Sequence, residues 1–199
     1  MLELFNINYL LETYGYVGIF TVVFLESGIF FALPGDSLLF TVGLFAASGF
    51  LDIYVVIALI FISTFFGAVV GYEIGVYLPN LRKYSFFRLV LKEKNIEQAR
   101  VFFEKYGRVA IVLSRFVPIV RTFTPIGAGV ARMNYLLFLK YSFFGSLLWS
   151  TTVTLVGYFF GHVFPGIKDY MHVVVIVVVL LSIVPIFVEL IKNKKAKNK

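Results

Sequence analysis

The sequence predicts an all-α integral membrane protein: one membrane domain over residues 1–199, built as an inverted repeat of two re-entrant helical hairpins with about three to four transmembrane helices and interfacial helices. Three observations carry that expectation. The 199 residues are 60% hydrophobic and 15% charged, and a mean hydropathy of +0.91 is more than a soluble core of this size can bury, so lipid must solvate much of the surface. Two apolar stretches are broken by proline, glycine and charge. A nine-residue pattern recurs at long range.

A spanning helix needs about 20 largely apolar residues. Residues 49–79, 134–162 and 171–191 meet that requirement uninterrupted, whereas 17–48 and 109–131 are interrupted. No Lys or Arg precedes Arg82, so the N-terminus lacks the basic flank of a cleavable signal peptide, and the first apolar stretch is expected to stay. Cysteine is absent, which excludes disulfides, thiolate nucleophiles and Cys-ligated metals.

Orientation follows from the basic residues. Segment 80–108 carries eight, from Arg82 to Arg108, against three acids, and the tail 192–199 carries five. The positive-inside rule places both in the cytoplasm. With apolar residues such as Phe86, Phe87, Phe102 and Phe103 among its charges, 80–108 reads as interfacial helices. The net charge of +7 sits beside membrane spans and accompanies no nucleic-acid motif, so anionic headgroups are its expected partners.

Parity then shapes the broken stretches. If 134–162 and 171–191 both cross, the path between the two basic regions is used up, and 109–131 must enter the membrane and return on the same side. Pro118 and Pro125 break its helix, and Gly127 and Gly129 permit tight turns. Applied to the first broken stretch, the same reasoning makes Glu26 to Asp36, with Pro34-Gly35 as its break, a hairpin entering from the opposite face. A further crossing near residues 8–28 is left undecided.

The recurring pattern is GYxxGxxxP, at Gly71–Pro79 and again 86 residues later at Gly157–Pro165. The same offset carries Gly43 onto Gly129 and the Pro34–Asp36 break onto residues beside Arg121. Inverted repeats with broken membrane segments are a transporter signature, with the site where the breaks meet.

Charge at bilayer depth costs at least ~2.5–3.5 kcal/mol per residue on insertion scales, so it is kept for a cavity, a partner or a ligand. Arg115 and Arg121, brought together by the break at Pro118, offer two bidentate, permanently charged forks suited to phosphate; pairing with Glu26 or Asp36 is the structural alternative. Glu26 and Asp36, in a low-dielectric setting, are candidates for proton coupling. For Asp36 the alternative is an N-cap on a helix starting at Ser37. Glu73, inside the first GYxxG, is a secondary candidate that otherwise pairs with Arg82. His162 and His172 flank an expected outer loop without metal-ligand spacing, so no metal or other cofactor is expected beyond a proton gradient.

The residues Glu26, Pro34-Gly35-Asp36-Ser37, Phe102-Phe103, Tyr106-Gly107, Ser114-Arg115-Phe116, Pro118, Arg121-Thr122, Pro125, Ala128-Gly129, Met133, Gly145, Trp149 and Gly157-Tyr158-x-x-Gly161 resemble the DedA family, the bacterial and archaeal branch of the VTT or SNARE-associated membrane proteins. That resemblance spans nearly the whole chain. It implies two opposed re-entrant hairpins and a lipid transporter or scramblase of the cell membrane, acting on undecaprenyl phosphate or on phospholipids such as phosphatidylethanolamine. It also carries the functional acids and arginines onto Glu26, Asp36, Arg115 and Arg121. Many members have an Asp near the Gly-Tyr-x-x-Gly region, where this chain offers Glu73.

The expected activity is therefore translocation of a phosphate-bearing lipid between leaflets, polyprenyl phosphate first and phospholipid second, with homo-oligomerisation left open. A proton-coupled carrier of a small solute or cation would use the acids but leave the arginines unexplained. A lipid phosphatase would need a nucleophile and a base, and neither hairpin contains a histidine.

Overall fold

In the computed structural model, residues 7–28, 35–81, 101 and 105–164 are described, and the regular elements among them are all helical. The predicted span 171–191, the tail 192–199, most of segment 80–108, and Pro34 lie outside the described residues. The helices are α1 (Ile7–Gly28), α2 (Gly35–Ala47), α3 (Ile53–Leu81), α4 (Ala110–Leu113), α5 (Pro118–Val130) and α6 (Tyr135–Val163). Short 3-10 turns, Gly107–Val109 and Ser114–Phe116, flank α4.

The predicted spans 49–79 and 134–162 correspond to α3 and α6, each of 29 residues. At 1.5 Å per residue each reaches about 43 Å, beyond the ~30 Å hydrocarbon layer. Only 33% of the most apolar window of either helix is buried, whereas a soluble core helix would hide most of it. Phe66, Phe144, Leu148 and Phe159 stand exposed on them, a surface suited to lipid and not to water. By contrast α2 and α5 have 13 residues each, about 20 Å, too short to cross.

Local chemistry sets the helix starts. Asp52 accepts from the backbone N–H groups of Tyr54 and Val55 at 2.8 and 3.0 Å, capping α3, and its own N–H donates to the Tyr16 hydroxyl at 3.0 Å. Asn134 caps α6 by accepting from the Leu137 N–H at 3.1 Å. Between α5 and α6, Arg132 takes φ +50°, and the turn is tied to α3 because the Tyr72 hydroxyl donates to the Met133 carbonyl at 2.6 Å.

One expectation about the second broken stretch, 109–131, is corrected. Its break is at Val117, extended at φ −117°, ψ 107° directly before Pro118, as steric conflict with a following proline ring requires. Pro125, Gly127 and Gly129 are not breaks: α5 runs through all three. The helix tolerates Pro125 at the loss of one backbone hydrogen bond, and Gly129 serves packing instead of turning. In the first broken stretch α2 begins at Gly35, so Asp36 lies in its first turn instead of capping a helix that starts at Ser37.

The packing exchanges partners between the two halves. α2 from the first half lies on α6 of the second, and α5 from the second lies on α3 of the first. Both seams are backbone against backbone. A Cβ at Gly157 would collide with the Phe40 carbonyl, and one at Gly43 with Thr154 and Tyr158; a Cβ at Gly75 would collide with the Ile126 carbonyl, and one at Gly129 with Tyr72 and Val76. The arm residues Phe40 and Gly43 thus repeat as Ile126 and Gly129 at the 86-residue offset. On the long helices the equivalent residues are Gly75 and Gly157, 82 apart, so contacts repeat one helical turn away from the sequence motif.

α3 and α6 run antiparallel: Phe61 and Phe65 meet Phe143, while Tyr72 stacks with Phe138 and lies beside Tyr135. α1 runs alongside α3 in the same sense, from Tyr16 beside Asp52 to Gly28 against Gly67. Ile19, Val23, Leu39, Val42, Val56, Ile60 and Trp149 form the apolar core between α1, α2, α3 and α6.

Candidate functional site

The C-terminal end of α1 and the N-terminal end of α5 meet beside the centres of the two long helices. Gly28 lies against Gly67, the midpoint of α3; the contact is so close that a methyl on Gly28 would strike the Gly67 carbonyl. Glu26, in the last turn of α1, therefore lies beside the middle of α3. Its Oε1 accepts from Nη2 of Arg121 in an ion pair, and its backbone carbonyl accepts from the Thr122 hydroxyl at 3.0 Å. Two consecutive residues of α5 thus hold one residue of α1, 95 and 96 positions away.

Beneath Arg121 lies Trp149, the midpoint of α6, with the guanidinium carbon 4.6 Å from the ring centroid. This cation–π contact and the Glu26 pair fix Arg121 from two sides. Arg115 leaves the preceding 3-10 turn and passes α6 at Gly145, where a Cβ would sit 3.4 Å from its Cγ. Gly145 and Trp149 are one helical turn apart, about 6 Å along α6. The two guanidinium groups accordingly reach the same helix one turn apart.

Both arginines are buried, at 1% and 2% exposure, and with Trp149 they are the largest fully buried side chains among the described residues. Their situations differ. Arg121 is held on two sides, whereas Nε, Nη1 and Nη2 of Arg115 have no hydrogen-bond partner. A buried guanidinium with every nitrogen unmatched is costly, and such a group is retained where a ligand supplies what the protein does not.

The structure thus brings together Glu26, Arg115 and Arg121 and leaves Glu73 apart, exposed on α3. Asp36 stands in the first turn of α2, and its side chain lies outside the described residues. Reasoning from sequence missed Trp149 as the platform for Arg121 and Thr122 as the clasp on α1. It also missed a set of buried hydroxyls: Thr64 on α3 and Ser142, Ser146 and Thr154 on α6, each fully buried with its oxygen unpartnered. Hydroxyl residues at 142, 146, 150 and 154, every fourth position of an apolar helix, were the available signal. No cluster of His, Cys, Asp and Glu able to hold a metal occurs among the described residues.

Comparison with known proteins agrees with this membrane reading. The family model of the VTT domain matches residues 33–159. The chain is 35% identical over 185 residues to Protein DedA of Escherichia coli K12, covering 91% of this chain and 84% of that one. It is 39% identical over 166 residues to the uncharacterized membrane protein ML0287 of Mycobacterium leprae, covering 82% and 74%. Undecaprenyl phosphate transporter A of Staphylococcus aureus is 29% identical over 182 residues, covering 87% and 89%. No solved structure matches the chain. From the residues of the VTT model and the near full-length likeness to DedA, the chain is a membrane protein that belongs to the VTT-domain, or DedA, family.

Proposed function

We propose that this protein carries a phosphate-bearing lipid between membrane leaflets, with polyprenyl phosphate as the leading substrate. The single observation that carries the reading is Arg115: a permanently charged fork packed against Gly145 of α6, 1% exposed, with every nitrogen unmatched. An anionic group is the natural complement of such a fork. The α5 N-terminus begins three residues beyond it, and its dipole adds to the attraction for anions. The S. aureus relative named as an undecaprenyl phosphate transporter supports the same substrate class.

In this reading the two short arms are re-entrant hairpins entering from opposite faces, with 80–108 and the C-terminal tail in the cytoplasm. The phosphate enters the protein while the isoprenoid tail stays in lipid. Glu26 holds Arg121 beside the phosphate, and protonation of Glu26 or Asp36 couples release to a proton gradient. A cation carrier would leave Arg115 without purpose, and the described residues of the site hold no histidine to serve an enzyme as base.

The test is reconstitution into liposomes with labelled polyprenyl phosphate and, in parallel, labelled phosphatidylethanolamine. Polyprenyl phosphate is expected to change leaflets faster than in empty vesicles, and Arg115→Ala to abolish the gain. Exchange of phosphatidylethanolamine alone assigns the phospholipid reading, and exchange of neither ends the lipid-transport model.

A further inference from the structure

Hydroxyl side chains inside a membrane helix have an easy local solution: the oxygen turns back and donates to a carbonyl three or four residues earlier. Ser63, Ser114, Thr124 and Ser150 all do so, at 2.7, 3.0, 2.7 and 3.2 Å. Thr64, Ser142 and Ser146 do not. Each is fully buried, and each oxygen lacks a partner although the same option is open to it.

These three hydroxyls share a depth with Arg115. Gly145, which receives the Arg115 stem, adjoins Ser146 and lies one turn from Ser142. Thr64 lies on the α3 face that carries Ala68 and Tyr72, four and eight residues on, and Tyr72 stacks on Phe138, one turn before Ser142 on the antiparallel α6. The described residues therefore place four unpartnered polar side chains, one cationic and three neutral donors, at one level of the interior, while Arg121 is committed to Glu26 and Trp149.

We propose that Thr64, Ser142 and Ser146 complete with Arg115 a site for a tetrahedral oxyanion, a terminal phosphate, and that Arg121 positions this site without being its primary ligand. A guanidinium fork satisfies two phosphate oxygens in one plane, and three hydroxyls from two helices supply donors out of that plane, which a tetrahedral group needs and a planar carboxylate does not. The proposal deepens the phosphate reading above and rests on it only for the source of the phosphate.

Trp149 is the sole tryptophan of the chain and lies one turn from Gly145, so its fluorescence reports the site. The experiment titrates full-length protein in nanodiscs with inorganic phosphate and, separately, with geranyl phosphate, at constant ionic strength against chloride. A saturable change in Trp149 emission is expected, with affinity falling at least tenfold in Thr64→Val with Ser146→Ala, and in Ser142→Ala. Thr64→Ser is expected to retain binding, and Ser150→Ala, whose hydroxyl already has a partner, to match the parent. Tighter binding of geranyl phosphate identifies a lipid source, and tighter binding of inorganic phosphate a free one. Absence of a saturable response, or parental affinity in the hydroxyl-deleted variants with their folding verified by thermal melting, overturns the proposal. Phosphate binding in a protein that moves no lipid would leave this site standing and remove the transport reading alone.

Discussion

Arg121 lies over the indole of Trp149, 4.6 Å from the ring centroid, with Glu26 on its other side. A charge buried in a membrane protein is thereby held by a π-face and a carboxylate contributed by two other helices. Trp149→Ala removes the platform and opens the core shared with Val56 and Ile60, at a cost of about 3–5 kcal/mol. Trp149→Phe keeps a weaker π-face and is expected to cost less and to preserve lipid exchange. Thermal melting in detergent, paired with the leaflet assay, separates the two variants.

The Glu26–Arg121 pair predicts strong non-additivity. Glu26→Gln alone removes the carboxylate charge that faces the buried Arg121 guanidinium and should destabilise by roughly 3–5 kcal/mol. Adding Arg121→Gln is expected to recover part of that loss, while exchange stays absent. A double-mutant cycle on melting temperature tests this; additive effects would show that the pair is not coupled.

Arg115 predicts the opposite balance of stability and function. With all its guanidinium nitrogens unmatched, replacement by Met should raise stability by on the order of 1–3 kcal/mol, the penalty of an unsatisfied buried polar group, and abolish exchange. Arg115→Lys keeps the charge and loses the fork, so binding should weaken without being lost. A less stable Arg115→Met protein would indicate that the arginine is structural.

Glycines divide into two classes by what surrounds them. Gly129→Ala puts a methyl into the Tyr72 carbonyl, and overpacking of this kind costs about 1–3 kcal/mol or more. Gly18, within α1, has nothing within 4 Å of its Cβ position, so Gly18→Ala should be neutral or add roughly 0.4–1 kcal/mol. Melting temperatures of the two variants give the comparison directly.

Much of this was legible in the sequence because its signals are local or periodic. Long apolar runs gave α3 and α6 to within about four residues, a margin normal for helix ends, and the charges named Glu26, Asp36, Arg115 and Arg121 as one site, of which the structure brings Glu26, Arg115 and Arg121 together while the Asp36 side chain lies outside the described residues. Trp149 was harder to assign, since an apolar aromatic reads as packing until Arg121 is seen above it. The hydroxyls of Thr64, Ser142 and Ser146 were hidden because serine and threonine in a membrane helix ordinarily satisfy themselves, and only coordinates show which ones do not. Pro125, Gly127 and Gly129 were mistaken for breaks because the residue types that end helices also admit a close neighbour; Gly129 does so, against Tyr72 and Gly75.

The glycine seams have a mechanical consequence. Where two helices touch through bare backbone, any side chain at the point of contact acts as a stop. On α3 the glycine under Gly129 is Gly75, and one turn away stands Gly71; on α6 the glycine under Phe40 is Gly157, and one turn away stands Gly161. Each groove is therefore cut at two stations about 6 Å apart. Both stations are filled, Gly71 by Pro125 and Gly161 by Ala47 and Leu44, so each short arm is keyed at two points and its register along the long helix is fixed.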